Sequence, residues 1–190
     1  FYDNTFGTVG IPIQSRPKDD QPLAETNIFE ITTFRSESGY SDHRHPDQVS
    51  WGKTLEEDLA RRDFTINALA YDGAQIIDLY KGKEDLESKI VRAVGDPHVR
   101  FSEDALRMMR AIRIAAQLQF TIEENTFAAI TKTAPLLTNI SPERIRDELL
   151  KILASPFPTD GIQLLRNAKL LPFILPELER CFGIKQEGPK

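Results

Sequence analysis

Apolar and β-branched residues cluster in short runs over the first third of the chain and recur at helical spacing over the remainder. Thr5–Ile13 (TFGTVGIPI) and Ile28–Phe34 (IFEITTF) are rich in β-branched and aromatic side chains and predict two strands, joined by the polar, proline-containing stretch Gln14–Asn27. Ser36–Lys53, with its glycine, proline and histidines, predicts a second loop long enough for a functional or mobile role. Thr54 followed three residues later by Glu57 predicts a capping box and a helix running on through LARRDFTINALA, Leu59–Ala70. Ile76–Leu79 predicts another strand. Beyond Val94 the strand signals stop, and helices are predicted over Ser102–Leu118, Glu123–Thr133, Ser141–Ala154 and Asp160–Ala168, with Ser141 and Pro142 forming a helix start. The pattern is α+β, a mixed head followed by an all-helical part, with boundaries near Gly95–Pro97 and Ser155–Pro158. It contains no internal repeat.

Composition narrows the class. A chain of 190 residues with 40% hydrophobic content can bury one or two modest cores, one domain plus part of another, and this excludes disorder. The single Cys181 rules out an internal disulfide and fits a reducing compartment, and no run reaches the length of a membrane-spanning helix. The start, FYDNTFGTVG, has neither methionine nor targeting pattern and reads as the edge of a fragment. With 24 Lys+Arg against 29 Asp+Glu the net charge is -5, which argues against a dedicated RNA binder. Locally the balance differs: Arg92, Arg100, Arg107, Arg110 and Arg113 can present positive potential to a triphosphate or RNA, or else form a salt-bridged helix.

Arginine's planar fork makes paired hydrogen bonds to phosphate or to a base edge. In FSEDALRMMRAIR, Phe101–Arg113, the acids Glu103 and Asp104 open the predicted helix, Arg107 and Arg110 lie beside Asp104, and Leu106, Met109 and Ile112 face a core. Arg113 falls on the apolar side and must be paired or reach along a groove edge. Asp104 and Arg107 offer an acceptor beside a donor fork, which matches cytosine or adenine; the alternative is an i,i+3 ion pair contributing about 0.2–0.5 kcal/mol. Arg61, Arg62 and Asp63 are successive on a predicted helix and fan out, so they serve one ligand unequally or pair with Glu56, Glu57 or Asp58. Glu56 with Asp58, and Asp85 with Glu87, have carboxylate spacing but a splaying context, and are not assigned to a metal. The run Asp42-His43-Arg44-His45-Pro46-Asp47 reads as a polar loop, since only His98 remains elsewhere and no cysteine pair exists.

Both LARRDFTINALA and FSEDALRMMRAIR resemble motifs of the class II tRNA nucleotidyltransferases, the CCA-adding enzymes and their poly(A) polymerase relatives. FGTVGI, EITTFR, DLYKGKEDLESKIVRAVGDPHVRF and SPERIRDELLKIL extend the resemblance over nearly the whole chain. It implies a partial nucleotidyltransferase (polymerase-β-like) head sheet over residues 1–94, a helical neck with base-reading and RNA-binding region over 95–156, and the start of a helical body over 157–190. Nucleotide binding is implied for Arg61 (phosphate or ribose), Asp63 (ribose side), Asp104 and Arg107 (base), and Arg110 and Arg113, with Asn67 holding backbone and Glu143, Arg144, Arg146 and Glu148 bracing the base-reading helix.

The implied reaction adds CCA, or a terminal A, to tRNA 3′ ends from CTP and ATP. Mg2+ clamps the attacking and leaving oxygens, in the cytoplasm and without a membrane partner. The family's Asp-x-Asp metal pair and Gly-rich loop are absent from the sequence and expected upstream of Phe1, so no catalytic residue is assigned, and the isolated chain is expected to bind nucleotide weakly and transfer nothing. Glu30 could supply an auxiliary metal carboxylate, its other reading being an edge-strand position in solvent. ESGYSDHRHPDQV resembles the loop that switches such enzymes to ATP. Two alternatives remain: a poly(A) polymerase relative, and a noncatalytic RNA- or nucleotide-binding module.

Overall fold

The computed structural model describes residues 2–3, 8–14, 26–38, 48–51 and 54–184. Strands β1 (Tyr2–Asp3), β2 (Thr8–Gln14) and β3 (Thr26–Thr32) form an antiparallel sheet in sequence order, with Thr8 opposite Thr32 and Gly10 opposite Glu30. Ile11, Ile28, Phe29 and Ile31 on this ladder are exposed. The stretch expected to be a loop is framed by a second hairpin, β4 (Arg35–Ser38) on β5 (Gln48–Trp51), while the Asp42–Asp47 run lies outside the described residues.

Helix α1 (Leu55–Ala60) starts as expected, Thr54 accepting the Glu57 amide at 3.3 Å, but it does not run through the first motif. A tertiary ladder captures the chain: Phe64 forms an antiparallel bridge with Ala93, the Thr65 amide donates to Arg92 at 2.9 Å, and the Val94 amide donates to Asp63 at 3.0 Å. Burying Phe64 completely while satisfying these amides outweighs continuing the helix. A 3-10 turn (Thr65–Asn67) then leads to the hairpin β6 (Leu69–Tyr71) and β7 (Ile76–Asp78). Asp78 accepts the amides of Gly82 (2.8 Å) and Lys83 (2.9 Å), which starts α2 (Gly82–Glu87).

Strand β8 (Ile90–Val91) pairs in parallel with β9 (Thr121–Ile122), so one short strand follows Val94 where none was expected. Instead of one helix from Ser102, the second motif contains two, α3 (Pro97–Glu103) and α4 (Leu106–Leu118), because Asp104 is extended at φ -141 and ψ 104. Asp96 accepts the His98 amide at 2.8 Å to start α3, and Asp104 accepts the Leu106 amide at 3.1 Å at the head of α4. The remaining helices are α5 (Glu124–Thr133), α6 (Pro142–Leu153), α7 (Pro158–Asn167), α8 (Leu171–Ile174) and α9 (Pro176–Cys181), with a 3-10 segment (Ala134–Asn139) between α5 and α6. The expected helices at 123–133, 141–154 and 160–168 thus agree closely with α5, α6 and α7. Helix α4 is the hub, burying Met108, Met109, Ala111 and Ile112 and packing on α6 and α7. One continuous core joins Phe64 and Val91 to Phe101, Ile130, Ile152 and Leu171.

Gly82 is required by packing. A Cβ there would lie 2.2 Å from the Thr65 carbonyl oxygen, in the turn that follows Asp63. Gly82→Ala is therefore expected to destabilise the chain by about 1–3 kcal/mol. A urea-unfolding midpoint equal to that of the parent would refute this close approach.

Candidate nucleotide-binding site

The ladder that ends α1 and the break that starts α4 place the two motifs against each other. Between them lies a cavity of about 500 Å3 lined by Arg61, Arg62, Asp63, Asn67, Asp104, Leu106, Arg107, Arg110 and Arg144. That volume is in the range of small-ligand sites. Arg61, Asp63, Asp104, Arg107 and Arg110, singled out from sequence, all reach it. Arg113 does not line it: its Nε donates to Glu148 at 2.8 Å and its Nη1 to Gln117 at 2.8 Å. The helical period that placed Arg113 on the apolar side carried the requirement for a partner, and Glu148, on the brace predicted from SPERIRDELLKIL, supplies it.

The lining arginines are each held by an acid. Asp58, only 4% exposed, is gripped on one oxygen by Arg61 and on the other by Arg62 at 3.2 Å. Asp63 does not fan away from its neighbours as a helix would require. Its Oδ2 accepts Arg110 Nε at 2.8 Å and Nη2 at 2.6 Å, and its Oδ1 accepts the Phe64 amide and Asn67 Nδ2. Asn67 thus steadies a carboxylate with its side chain, while its backbone oxygen accepts Arg62 at 3.3 Å. Arg107 bonds Glu103 and the Arg100 carbonyl through Nη1 and the Arg61 carbonyl through Nη2 at 3.4 Å. Arg144, forty residues from Asp104 in sequence, donates to its Oδ2 at 2.8 Å. Sequence reasoning gave Arg144 a bracing role; that it also lines the cavity had no local signal. Arg146 instead pairs with its neighbour Asp147, both exposed.

Two donors at this cavity, Arg62 Nε and Arg144 Nη1, are buried without a hydrogen-bond partner among the described residues. A site lined by five arginines, neutralised from behind by carboxylates, suits an anion that also carries hydrogen-bonding edges. It does not suit a divalent cation. Among the described residues no group of three or more His, Cys, Asp or Glu side chains could hold a metal. Asp85 is spent on Thr65 at 2.7 Å and on Arg92, and Glu30 is exposed on β3.

Burial opposes the charge of Glu148, but the Lys151 hydrogen bond and the Arg113 charge outweigh it and hold its carboxyl below its ordinary value. Burial likewise opposes Asp58, and Arg61 and Arg62 outweigh it. Because both folded values are depressed, the stability these groups contribute is complete above the unfolded value and is lost as pH falls through the folded one. Acid unfolding followed by circular dichroism is expected to develop below roughly pH 4. Glu148→Gln is expected to lower neutral-pH stability by about 1–3 kcal/mol and to flatten that acid limb. An unchanged acid limb would remove Glu148 from the account.

Two family models match the chain: the poly A polymerase head domain over residues 5–92, and the probable RNA and SrmB-binding site of polymerase A over residues 119–182. A CCA-adding enzyme of Enterococcus faecalis is 51% identical over 168 residues, covering 87% of this chain and 39% of that protein. The CCA-adding enzyme of Lactobacillus helveticus is 54% identical over 143 residues, covering 75% of this chain and 36% of its own length. The chain therefore spans less than two fifths of the length of these relatives. Among solved structures, the Bacillus stearothermophilus CCA-adding enzyme in complex with CTP superposes with a TM-score of 0.75 at 37% identity, over 93% of this chain and 41% of that one. The Thermotoga maritima CCA-adding enzyme complexed with tRNA gives 0.61 at 32% identity, over 65% of this chain and 32% of that one.

Proposed function

This chain belongs to the tRNA nucleotidyltransferase and poly(A) polymerase family, and we propose that it is the nucleotide-selecting portion of a template-independent nucleotidyltransferase that adds CCA to tRNA 3′ ends from CTP and ATP. The observation that carries this reading is the convergence of Arg61, Asp63, Asp104, Arg107 and Arg110 on one cavity from segments far apart in sequence. Asp104 offers only acceptors and Arg107 only donors. Cytosine and adenine present an amino donor beside a ring-nitrogen acceptor, whereas uracil and guanine present a carbonyl acceptor beside a ring N–H. The pair is complementary to the first two bases and mismatched to the others. Arg61, Arg62 and Arg110 line the same cavity, their charges fixed by Asp58 and Asp63, and supply the positive charge this reading assigns to the ribose and phosphates.

Arg113 supports this site from outside, through Glu148. The division into head (1–94), neck (95–156) and start of body (157–190) belongs to the same proposal, the cavity drawing residues 61–67 from the head and 104–144 from the neck. Magnesium, CTP, ATP, the tRNA 3′ end and a cytoplasmic setting are proposed for the complete enzyme. The described residues do not form a metal site, so their role is to select and hold the nucleotide. No helix among them is long and apolar enough to cross a membrane. The similarity to CCA-adding enzymes at 51% and 54% identity favours tRNA over a poly(A) primer.

Calorimetric titration with CTP, ATP, GTP and UTP is expected to show binding of CTP and ATP in preference to GTP and UTP. Asp104→Ala and Arg107→Ala are each expected to cut that preference by about tenfold or more, the equivalent of one lost hydrogen bond to a charged group. Equal binding of all four nucleotides would refute base reading by this helix. The complete enzyme is expected to extend a tRNA ending before CCA, and extension of an arbitrary RNA by A alone would replace this reading with poly(A) synthesis.

A further inference from the structure

A second cavity, of about 350 Å3, lies between the last turn of α4 and the outer face of α7. It is separate from the arginine-lined one: Ala116, which lines it, is nine residues beyond Arg107 on the same helix, about 14 Å along the axis. The buried Ala115 and Ala116 leave room by being small, and Phe120 and Leu164 add apolar walls. Around this apolar base stand the carboxamides of Gln119, Gln163 and Asn167 and the carboxylate of Asp160, all exposed. Gln163 Nε2 donates to Asn167 Oδ1 at 2.9 Å, so the Gln163 carbonyl oxygen and the Asn167 amino group have no partner among the described residues.

The chemistry differs from that of the first cavity. No lysine or arginine lines this one, and Asp160 makes no ion pair among the described residues. A phosphate therefore has nothing to hold it here. A planar heterocycle does: its faces pack on Phe120 and Leu164, the carboxamides supply both donors and acceptors to its edge, and Asp160 accepts from an exocyclic amino group. Cations stand outside the cavity. The carbonyl of Lys89 accepts the amide of Thr121, the residue after Phe120, and Lys169 follows Asn167 by two residues; both lysines are exposed. Gln119, Phe120, Asp160, Gln163, Leu164 and Asn167 also fall within the segment, residues 119–182, that is similar to an RNA-binding region. A carboxamide pair and a first-turn aspartate alone would describe a solvated helix face. The concavity against α4 and the absence of a countercharge are what that description leaves unexplained.

We propose that this cavity binds a single unstacked base of the RNA partner, gripped by Phe120, Leu164 and the three carboxamides while the flanking phosphates stay outside. The RNA is then held at the far end of the helix whose first turns line the nucleotide cavity. This goes beyond nucleotide selection and shares with the function proposed above only the RNA partner. Because no cation takes part, capture of a free nucleoside here is insensitive to salt, unlike binding of a triphosphate among arginines.

The test has two arms, each run on the parent chain and on the double variant Gln163→Ala/Asn167→Ala, whose exposed positions leave the fold intact. Adenosine, which carries no phosphate, is expected to shift the amide NMR signals of Gln119, Phe120, Gln163 and Asn167 at low and high salt alike, and the double variant is expected to lose its response at Gln119 and Phe120. Affinity for a tRNA transcript ending before CCA is expected to fall at least about fivefold in the double variant, the equivalent of two lost hydrogen bonds. Asn125→Ala, an exposed carboxamide on α5 in the same segment, is expected to bind that transcript as the parent does. Adenosine that leaves these four signals unmoved, a double variant that binds the transcript as tightly as the parent, or a parent that does not bind it overturns the inference. Failure of CTP and ATP selection at Asp104 would leave both arms unchanged, so the two readings fail separately.

Discussion

The site depends on a short stretch of backbone pairing. Asp63 to Thr65 lie against Arg92 to Val94, with Phe64 driven into the core between them. This contact decides which way three charged side chains face. Were α1 to continue, Arg61, Arg62 and Asp63 would point in directions about 100° apart. By ending the helix at Ala60, the ladder turns Asp63 toward Arg110 and leaves Arg61 and Arg62 to share Asp58. A fully buried phenylalanine supplies on the order of 2–3 kcal/mol of apolar driving force, more than the few tenths per residue by which helix propensities differ. Tertiary burial wins over local preference, and the consequence is a cavity.

Charge follows a similar economy. A chain of net charge -5 forms an arginine-lined cavity, and it does so by setting each cation against a carboxylate on the wall behind it. These ion pairs add little stability where they are half-exposed, of order 0–1 kcal/mol. What they supply is geometry: a guanidinium with one edge bonded has few rotamers left, and its remaining edge faces a defined place. The arrangement also reconciles an acidic protein with an anionic ligand, since only the field within the cavity and its Debye-length surroundings matters to a ligand on arrival.

The parts of this structure legible in the sequence are those set by local periodicity. Helices α5, α6 and α7 follow from helical periodicity, and α6 also from the Ser141–Pro142 start signal. The inward face of α4, Leu106, Met109 and Ile112, followed from the 3.6-residue period, as did the need for a partner at Arg113. Contacts made across the chain were not legible. The break at Asp104 has no glycine or proline to announce it, and is maintained by Leu106 from within the motif and by Arg144 from forty residues away. Strand β9 is two residues long and exists only because β8 lies beside it. The end of α1 at Ala60 is invisible without Ala93.

Resemblance to a family therefore located the residues, while packing determined their roles, and Asp58 illustrates the difference. By spacing it was one half of a carboxylate pair with Glu56; in the fold it is a buried anchor for two arginines. The cavity is closed on one side by residues 61–67 and on the other by residues 104–144, and these sides meet through ion pairs and a shared core. A ligand touching both adds its binding free energy to that junction, about 2.7 kcal/mol at a hundredfold excess over its dissociation constant. Against a total stability of roughly 5–15 kcal/mol for a domain, occupancy is then a substantial share of what holds the two sides in register. On the function proposed, selecting the nucleotide and stiffening the break at Asp104 become one event, because the same side chains, Asp63 with Arg110 and Asp104 with Arg144, carry both.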